Sequence, residues 1–475
     1  MINIKLLNKL LKLGLEVGGG FVEIFEEETI TNTFKMMNSL VENVGNTTIA
    51  GLGIRIYYDN KSVYAYSNDF NEDVLMNMIS KLGKGIANNK DDDSANATAA
   101  TANASTSINI KEEVYDNAHP IRIKPLEMSS KDKVKLMLEV SEAANNYSSL
   151  VDKTICTLFD ETQKVRITNS TGKLINDCRI RTRMSIQAFA LKNGNQQVGH
   201  KSSGGSIGYE LYTTDLINNL GKEAARIAVA MLEAIDAPSG KMDVVLDHGF
   251  GGVIFHEACG HGLEATAIAK HQSIFDGKVG KQIASTIVSA VDDGTITNAW
   301  GSTNIDDEGN FTKRNILIKD GILQGYLVDQ LNGEIMKTKS TGSGRRESYH
   351  YEPTSRMTNT YIMNGKSTLE ELINSTKHGL YAKTLGGGSV DPATGDFNFA
   401  LMEAYLIEDG KIGQIVKGAT LVGNGADVLM NISMVANNLT REQGMCGSIS
   451  GSIPTDVGQP AIKVLNMNVG GSAND

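Results

Sequence analysis

Glycine, at 49 positions against 7 prolines, constrains this chain more than any other feature. So much of the one and so little of the other points to many tight turns joining strands. Glycine-bearing turns stand at Thr168-Asn-Ser-Thr-Gly-Lys173, Asp306-Asp-Glu-Gly309, Lys319-Asp-Gly321 and Glu408-Asp-Gly410. Between residues 21 and 67 apolar and polar side chains alternate, with turn signals at Glu42-Asn-Val-Gly45 and Tyr58-Asp-Asn-Lys61, as in an antiparallel meander. Helical periodicity marks the first fifteen or so residues, then Phe70–Ile86, Ser130–Asn146 and a long stretch Tyr209–Ala237.

The fold class expected is α+β: an N-terminal antiparallel sheet with packed helices, followed by a C-terminal β-rich barrel-like or sandwich domain. A chain of 475 residues exceeds one ordinary core, and Ala237-Pro-Ser-Gly-Lys241 reads as a boundary. The expected domains are therefore 1–237 and 241–475. Residues 88–107 hold an Asp-rich start and an Ala/Thr/Asn/Ser run, read as a flexible, peripheral low-complexity loop.

A formal net charge of −10 argues against nucleic acid or an anionic membrane surface as the main partner. No run of about twenty apolar residues is present to span a membrane. The lysine-bearing N-terminus reads as an amphipathic helix, because no small-residue cleavage site follows it. Four scattered cysteines (Cys156, Cys178, Cys259, Cys446) form no disulfide framework, so a reducing cytoplasm is the expected location.

The chemistry concentrates in His256-Glu257-Ala258-Cys259-Gly260-His261, within an apolar and helical segment. Imidazoles to hold a metal and a carboxylate to take a proton from water are the inventory of a hydrolytic zinc site. The histidines are one residue further apart than in the His-Glu-x-x-His signature. Residues five apart diverge around an ideal helix, so binding one ion demands a π-type bulge or a helix end, with Gly260 the place for the backbone to yield. Cys446, Glu264, His248 and Cys259 are the candidates for a third ligand. Cys259 would need a cramped chelate, and Cys446 sits in a glycine-rich loop. The segment Ser340–Tyr351 adds Arg345, Arg346, Tyr349 and His350, candidates for substrate or oxyanion contacts. An ion-pair network is the structural alternative for the arginines, and a phosphate cradle lacks its lysine and helix.

Several stretches together resemble the TldD branch of the TldD/PmbA family of metallopeptidases. They are His256-Glu-Ala-Cys-Gly-His-Gly-Leu-Glu264, Gly344-Arg-Arg-Glu-Ser-Tyr349, Arg356-Met-Thr-Asn-Thr-Tyr361, Asp391–Phe397, Lys417-Gly-Ala-Thr-Leu421, and Met445-Cys446 leading to Val457-Gly-Gln-Pro460. The resemblance implies a zinc peptidase with His256, His261 and Cys446 on the metal and Glu257 as general base. It implies extended or unfolded peptides as substrates. It also implies a homodimer, or a heterodimer with a PmbA-like subunit that lacks the metal motif. The rival expectation is a non-catalytic peptide-binding subunit with a structural zinc closed by four protein ligands, Glu264 or Cys259 supplying the fourth.

Overall fold

A computed structural model of the chain describes residues 1–88, 108–391 and 394–471. The low-complexity segment expected at 88–107 lies outside the described residues apart from Asn88, which ends a helix.

Two amphipathic helices, α1 (Ile4–Glu16) and α2 (Glu72–Asn88), flank the first strands: β1 (Phe21–Met37), β2 (Leu40–Tyr58) and β3 (Lys61–Ser67). A short strand β4 (Lys111–Glu113) and α3 (Ser130–Asn145) precede three more strands. These are β5 (Val151–Asn169), β6 (Lys173–Lys192) and β7 (Asn195–Gly205), after which comes α4 (Thr214–Met231). All seven strands form one sheet in the order β3-β2-β1-β5-β6-β4, with β7 also on β6. Three of its turns are two-residue pairs in the left-handed region, Asn38-Ser39, Asp59-Asn60 and Asn193-Gly194. Such pairs match the strand twist. The turn expected at Glu42–Gly45 is instead continuous strand, because Asn38-Ser39 has already reversed the chain.

Period-two alternation divides the sheet into two unlike faces. Val22, Ile24, Leu52, Ile54 and Ile56 pack beneath α1 and α2, while Leu158, Met184 and Ile186 pack beneath α3 and α4. The intervening positions, among them Glu23, Arg55, Gln163, Arg179 and Arg181, turn the other way and are buried against the second half of the chain. The long helix expected over Tyr209–Ala237 is shorter. The Thr213 hydroxyl accepts the Leu216 N–H to cap α4, and the chain leaves it to add Ile235–Asp236 as an edge strand beside Lys411–Lys417.

The second half contains a closed barrel. Strands Gly240–Leu246, His378–Val390, Asp396–Glu408, Thr420–Asn424 and Ile462–Gly470 pair in a ring, since His378–Val390 bonds both to Gly240–Leu246 and to Asp396–Glu408. Val244, Leu380, Phe399, Leu421 and Val464 fill its core. Beside it lies a six-stranded sheet whose terminal hairpin is Thr440–Ser448 with Gly451–Gln459. The segment Gly249–Leu263 runs between them, burying Phe255, Ala258, Cys259 and Leu263 in the barrel's own core. This α+β arrangement, with a β-barrel carrying the histidine-bearing helix, is the fold class expected from sequence.

Candidate metal centre

The helical segment changes its winding along its length. It is 3-10 over Gly249–Gly252, α over Val253–Phe255, π over His256–Gly260 and 3-10 again over His261–Leu263. The His261 N–H donates to the His256 carbonyl, five residues back. One widened turn thereby absorbs the extra residue and returns both imidazoles to one side of the helix. Their ring centroids are 4.9 Å apart. Close packing fixes this turn: a Cβ on Gly252 would collide with the backbone of Gly458, and one on Gly425 with the backbone of Ala258.

Cys446 reaches the same point from the hairpin strand Thr440–Ser448. Its Sγ lies 3.2 Å from Nε2 of His256 and 3.3 Å from Nε2 of His261, and the donor atoms of all three residues fall within 4.8 Å. In tetrahedral zinc, sulfur and nitrogen ligands stand about 3.5 Å apart, as bond lengths of about 2.3 and 2.0 Å require. The donor set therefore fits a metal both in chemistry and in spacing. Burial opposes ionisation of the Cys446 thiol, but His256 and His261 outweigh it and bring its pKa down to about 3. Cys259, by contrast, is fully buried in the barrel core, where burial pushes its thiol well up. His248 pairs instead with Asp247, Nδ1 to Oδ1 at 2.7 Å.

Glu257 presents Oε2 3.7 Å from Nε2 of His261, on the side where the three donors converge. Glu264 lies behind that ring, with Oε1 3.2 Å from Nδ1, an ion-pair approach rather than an aligned hydrogen bond. Burial alone would lower the His261 pKa; Glu264 and Cys446 reverse this and hold it well above its ordinary value. A carboxylate on the far nitrogen fixes the ring's orientation and leaves Nε2 for the metal. Arg356, wholly buried, joins these supports. It donates to the Cys446 carbonyl, to Ser450 Oγ at 2.8 Å and to the Gly451 carbonyl at 3.0 Å, and its Nε lies 3.9 Å from Glu264. Sequence reasoning assigned Arg356 no role, because a lone arginine carries no spacing signal.

The other candidates separate. Arg345 and Arg346 line a cavity of about 400 Å³ beside the hairpin. Arg346 is consumed by an ion pair to Glu23 at 2.6 Å and stacks over Phe25. Tyr349 packs against Gly51, with its N–H on Glu27, and His350 sits edge-on to Tyr66. Tyr349 and His350 thus face β1–β3 and do not line that cavity.

Comparison with known proteins gives consistent matches. The family model described as PmbA/TldA metallopeptidase C-terminal domain matches residues 239–471, the central-domain model 123–232, and that of domain 1 22–102. A Haemophilus influenzae protein named Metalloprotease TldD homolog is 41% identical over 430 residues, covering 89% of this chain and 87% of that protein. A Buchnera aphidicola protein of the same name is 35% identical over 459 residues, covering 95% and 92%. A Thermotoga maritima crystal structure, named for modulation of a DNA gyrase, superposes with a TM-score of 0.78 at 20% identity, covering 98% of this chain and 99% of that one. At that identity the likeness speaks for the fold alone.

Proposed function

The chain belongs to the PmbA/TldD metallopeptidase family, and from that premise we propose that it is a zinc-dependent peptidase acting on extended or unfolded peptides. His256, His261 and Cys446 would hold the zinc, and Glu257 serves as general base. The observation that carries this reading is the asymmetry around His261: Cys446 and Glu257 stand on its Nε2 side, Glu264 on its Nδ1 side. Three donors with a free carboxylate beside them match a catalytic site, whereas a structural zinc is closed by four protein ligands. Neither proposed fourth ligand favours the rival reading, since Glu264 is turned to the far nitrogen and Cys259 is enclosed in the barrel core.

When bound, zinc polarises the scissile carbonyl and makes a water acidic enough to attack near neutral pH. The Glu257 carboxylate accepts that water's proton on Oε2 and returns it to the leaving nitrogen. Glu264 and Arg356 keep His261 and the Cys446 strand in place while this occurs. The strand Thr440–Ser448 ends its sheet and leaves Met445 exposed. An extended peptide can add to such an edge through backbone hydrogen bonds with little sequence readout. Pairing as a homodimer, or with a metal-free PmbA-like subunit, belongs to the same proposal, as does a reducing cytoplasmic setting for the four free thiols. Among the described residues no helix is long and apolar enough to cross a membrane.

The test is metal analysis of the purified protein, with cleavage of an unfolded peptide followed before and after chelation. Hydrolysis should stop on chelation and return with zinc. Glu257→Gln should keep the metal and lose hydrolysis; a variant that keeps both removes the general-base role. Retention of full zinc content by Cys446→Ser would remove the third ligand, and zinc without any cleavage would favour the non-catalytic reading.

A further inference from the structure

We propose that the arginine-lined cavity between the long sheet and the Cys446 hairpin is a carboxylate-binding subsite, in which Arg345 and Arg183 receive an anionic group of the peptide. The proposal rests on the peptidase reading above and names the substrate chemistry which that site would favour.

The cavity is built by strand periodicity. Arg179, Arg181 and Arg183 occupy alternate positions of β6 and so share one face. Opposite them on β5 stand Gln163, Glu161 and Phe159 in register. The second half of the chain closes the space with Trp300, Arg345 and the hairpin residue Ile453. Phe159 and Trp300, edge to face at 6.4 Å, supply an apolar wall. A concave space lined by aromatics, with a few converging charged groups and lying between two structural units, has the character of a ligand site.

Its charges do not balance. Arg179 is taken by Asp307 at 2.5 Å and Asp177 at 3.2 Å, and Arg346 by Glu23. Arg181 reaches Glu161 only at 3.5 Å. Among the described residues Arg183 and Arg345 have no carboxylate within 4.0 Å. Arg183 donates to Ser202 Oγ at 3.4 Å and the Gln443 carbonyl at 3.3 Å, while Arg345, only 4% exposed, donates to the Met357 carbonyl at 2.6 Å. Nearby Asp456 is a poor counter-ion, because burial pushes its carboxyl up to about 7. A guanidinium keeps its charge and has five donors, so a buried one without an anion is costly until an anion arrives. A planar carboxylate is the partner that its fork fits.

The cavity also adjoins the metal donors. Ile453 is the register partner of Cys446, and Met357, whose carbonyl binds Arg345, packs its sulfur against Gly260 between the two histidines. A peptide held at the metal would therefore present a neighbouring carboxylate here. Two sources share that chemistry, the C-terminal carboxylate and an Asp or Glu side chain.

The experiment compares three short unstructured peptides: one with a free C-terminus and a single glutamate, its C-terminal amide, and its glutamine analogue. The zinc-loaded full chain, with any partner subunit it needs, should show a KM raised roughly tenfold to a hundredfold for one neutralised peptide at little-changed kcat, as loss of a charge-assisted hydrogen bond implies. An effect of the amide assigns the terminal carboxylate; an effect of the glutamine peptide assigns the side chain. Arg345→Gln should abolish the discrimination, and Arg183→Gln, at a partly exposed position, gives the same reading if Arg345→Gln does not fold. Equal KM values for all three peptides would overturn the subsite. Fluorescence anisotropy of the same peptides on Glu257→Gln reads the subsite without turnover. Discrimination there with no hydrolysis by the wild type would sink the peptidase reading and leave the subsite standing.

Discussion

Where other elements cover them, the two faces of the long sheet are both buried and oppositely built. Toward the helices stand Val22, Ile24 and Ile54, all fully buried; toward the second half of the chain stand Glu23, Arg55 and Arg179, with exposures of 1%, 1% and 6%. Apolar burial is non-directional and holds elements together at about 25 cal/mol per Å². Buried ion pairs add little net stability, yet a partner removed leaves a bare charge, so they penalise every misplacement. One face thus gives the sheet its cohesion. The other fixes how it sits against the metal-bearing half, through Arg55 on Glu308, Arg346 on Glu23 and Arg179 on Asp307.

The largest break in this contrast should come from Arg55→Met, which strands Glu308 and leaves Glu23 to Arg346 alone. A loss of about 3–5 kcal/mol in urea denaturation is expected, and a neutral result would show that the charged face does not hold the two halves in register. Next comes Arg356→Met, which frees the Cys446 strand from Glu264. Zinc affinity, titrated with a competing chelator, should fall roughly tenfold to a hundredfold. On the apolar face Ile54→Val should cost only about 0.5–1.5 kcal/mol and leave zinc affinity alone. The smallest effect is in pH. Burial and, to a lesser extent, neighbouring Asp307 raise the Asp306 carboxyl from 3.8 to about 6. Its contribution to stability is therefore complete below pH 3.8 and lost as pH rises through about 6. Asp306→Asn should gain on the wild type across that window in thermal melts; parallel curves would remove Asp306 from the account.

Much of this was legible beforehand because local rules dominated. The His256–His261 spacing demanded a π-type bulge or a helix end near Gly260, and a π turn spans His256–Gly260. Helices α2 and α3 follow their apolar periodicity to within a residue or two. The turn at Asn38-Ser39 was missed because a glycine at position 45 gave the louder signal, although a left-handed pair tolerates asparagine. Arg179-Ile-Arg-Thr-Arg183 has plain alternation, but only the sheet shows that its charged side is the buried one. Glu264 and Arg356 meet across about ninety residues of sequence, and contacts of that range leave no trace in a single chain read from one end to the other.

The clearance-free contacts of the histidine-bearing turn have a mechanical consequence. With Gly252 pressed on Gly458 and Gly425 on Ala258, the turn cannot slide or rotate without displacing the six-stranded sheet on one side or the segment after barrel strand Thr420–Asn424 on the other. One jaw of the site is therefore rigid, and the compliance available to admit a substrate falls to the other jaw, the sheet held by charge. Ionic strength, which weakens charge and spares close packing, should then tune how readily substrate enters before it alters how firmly the metal is held.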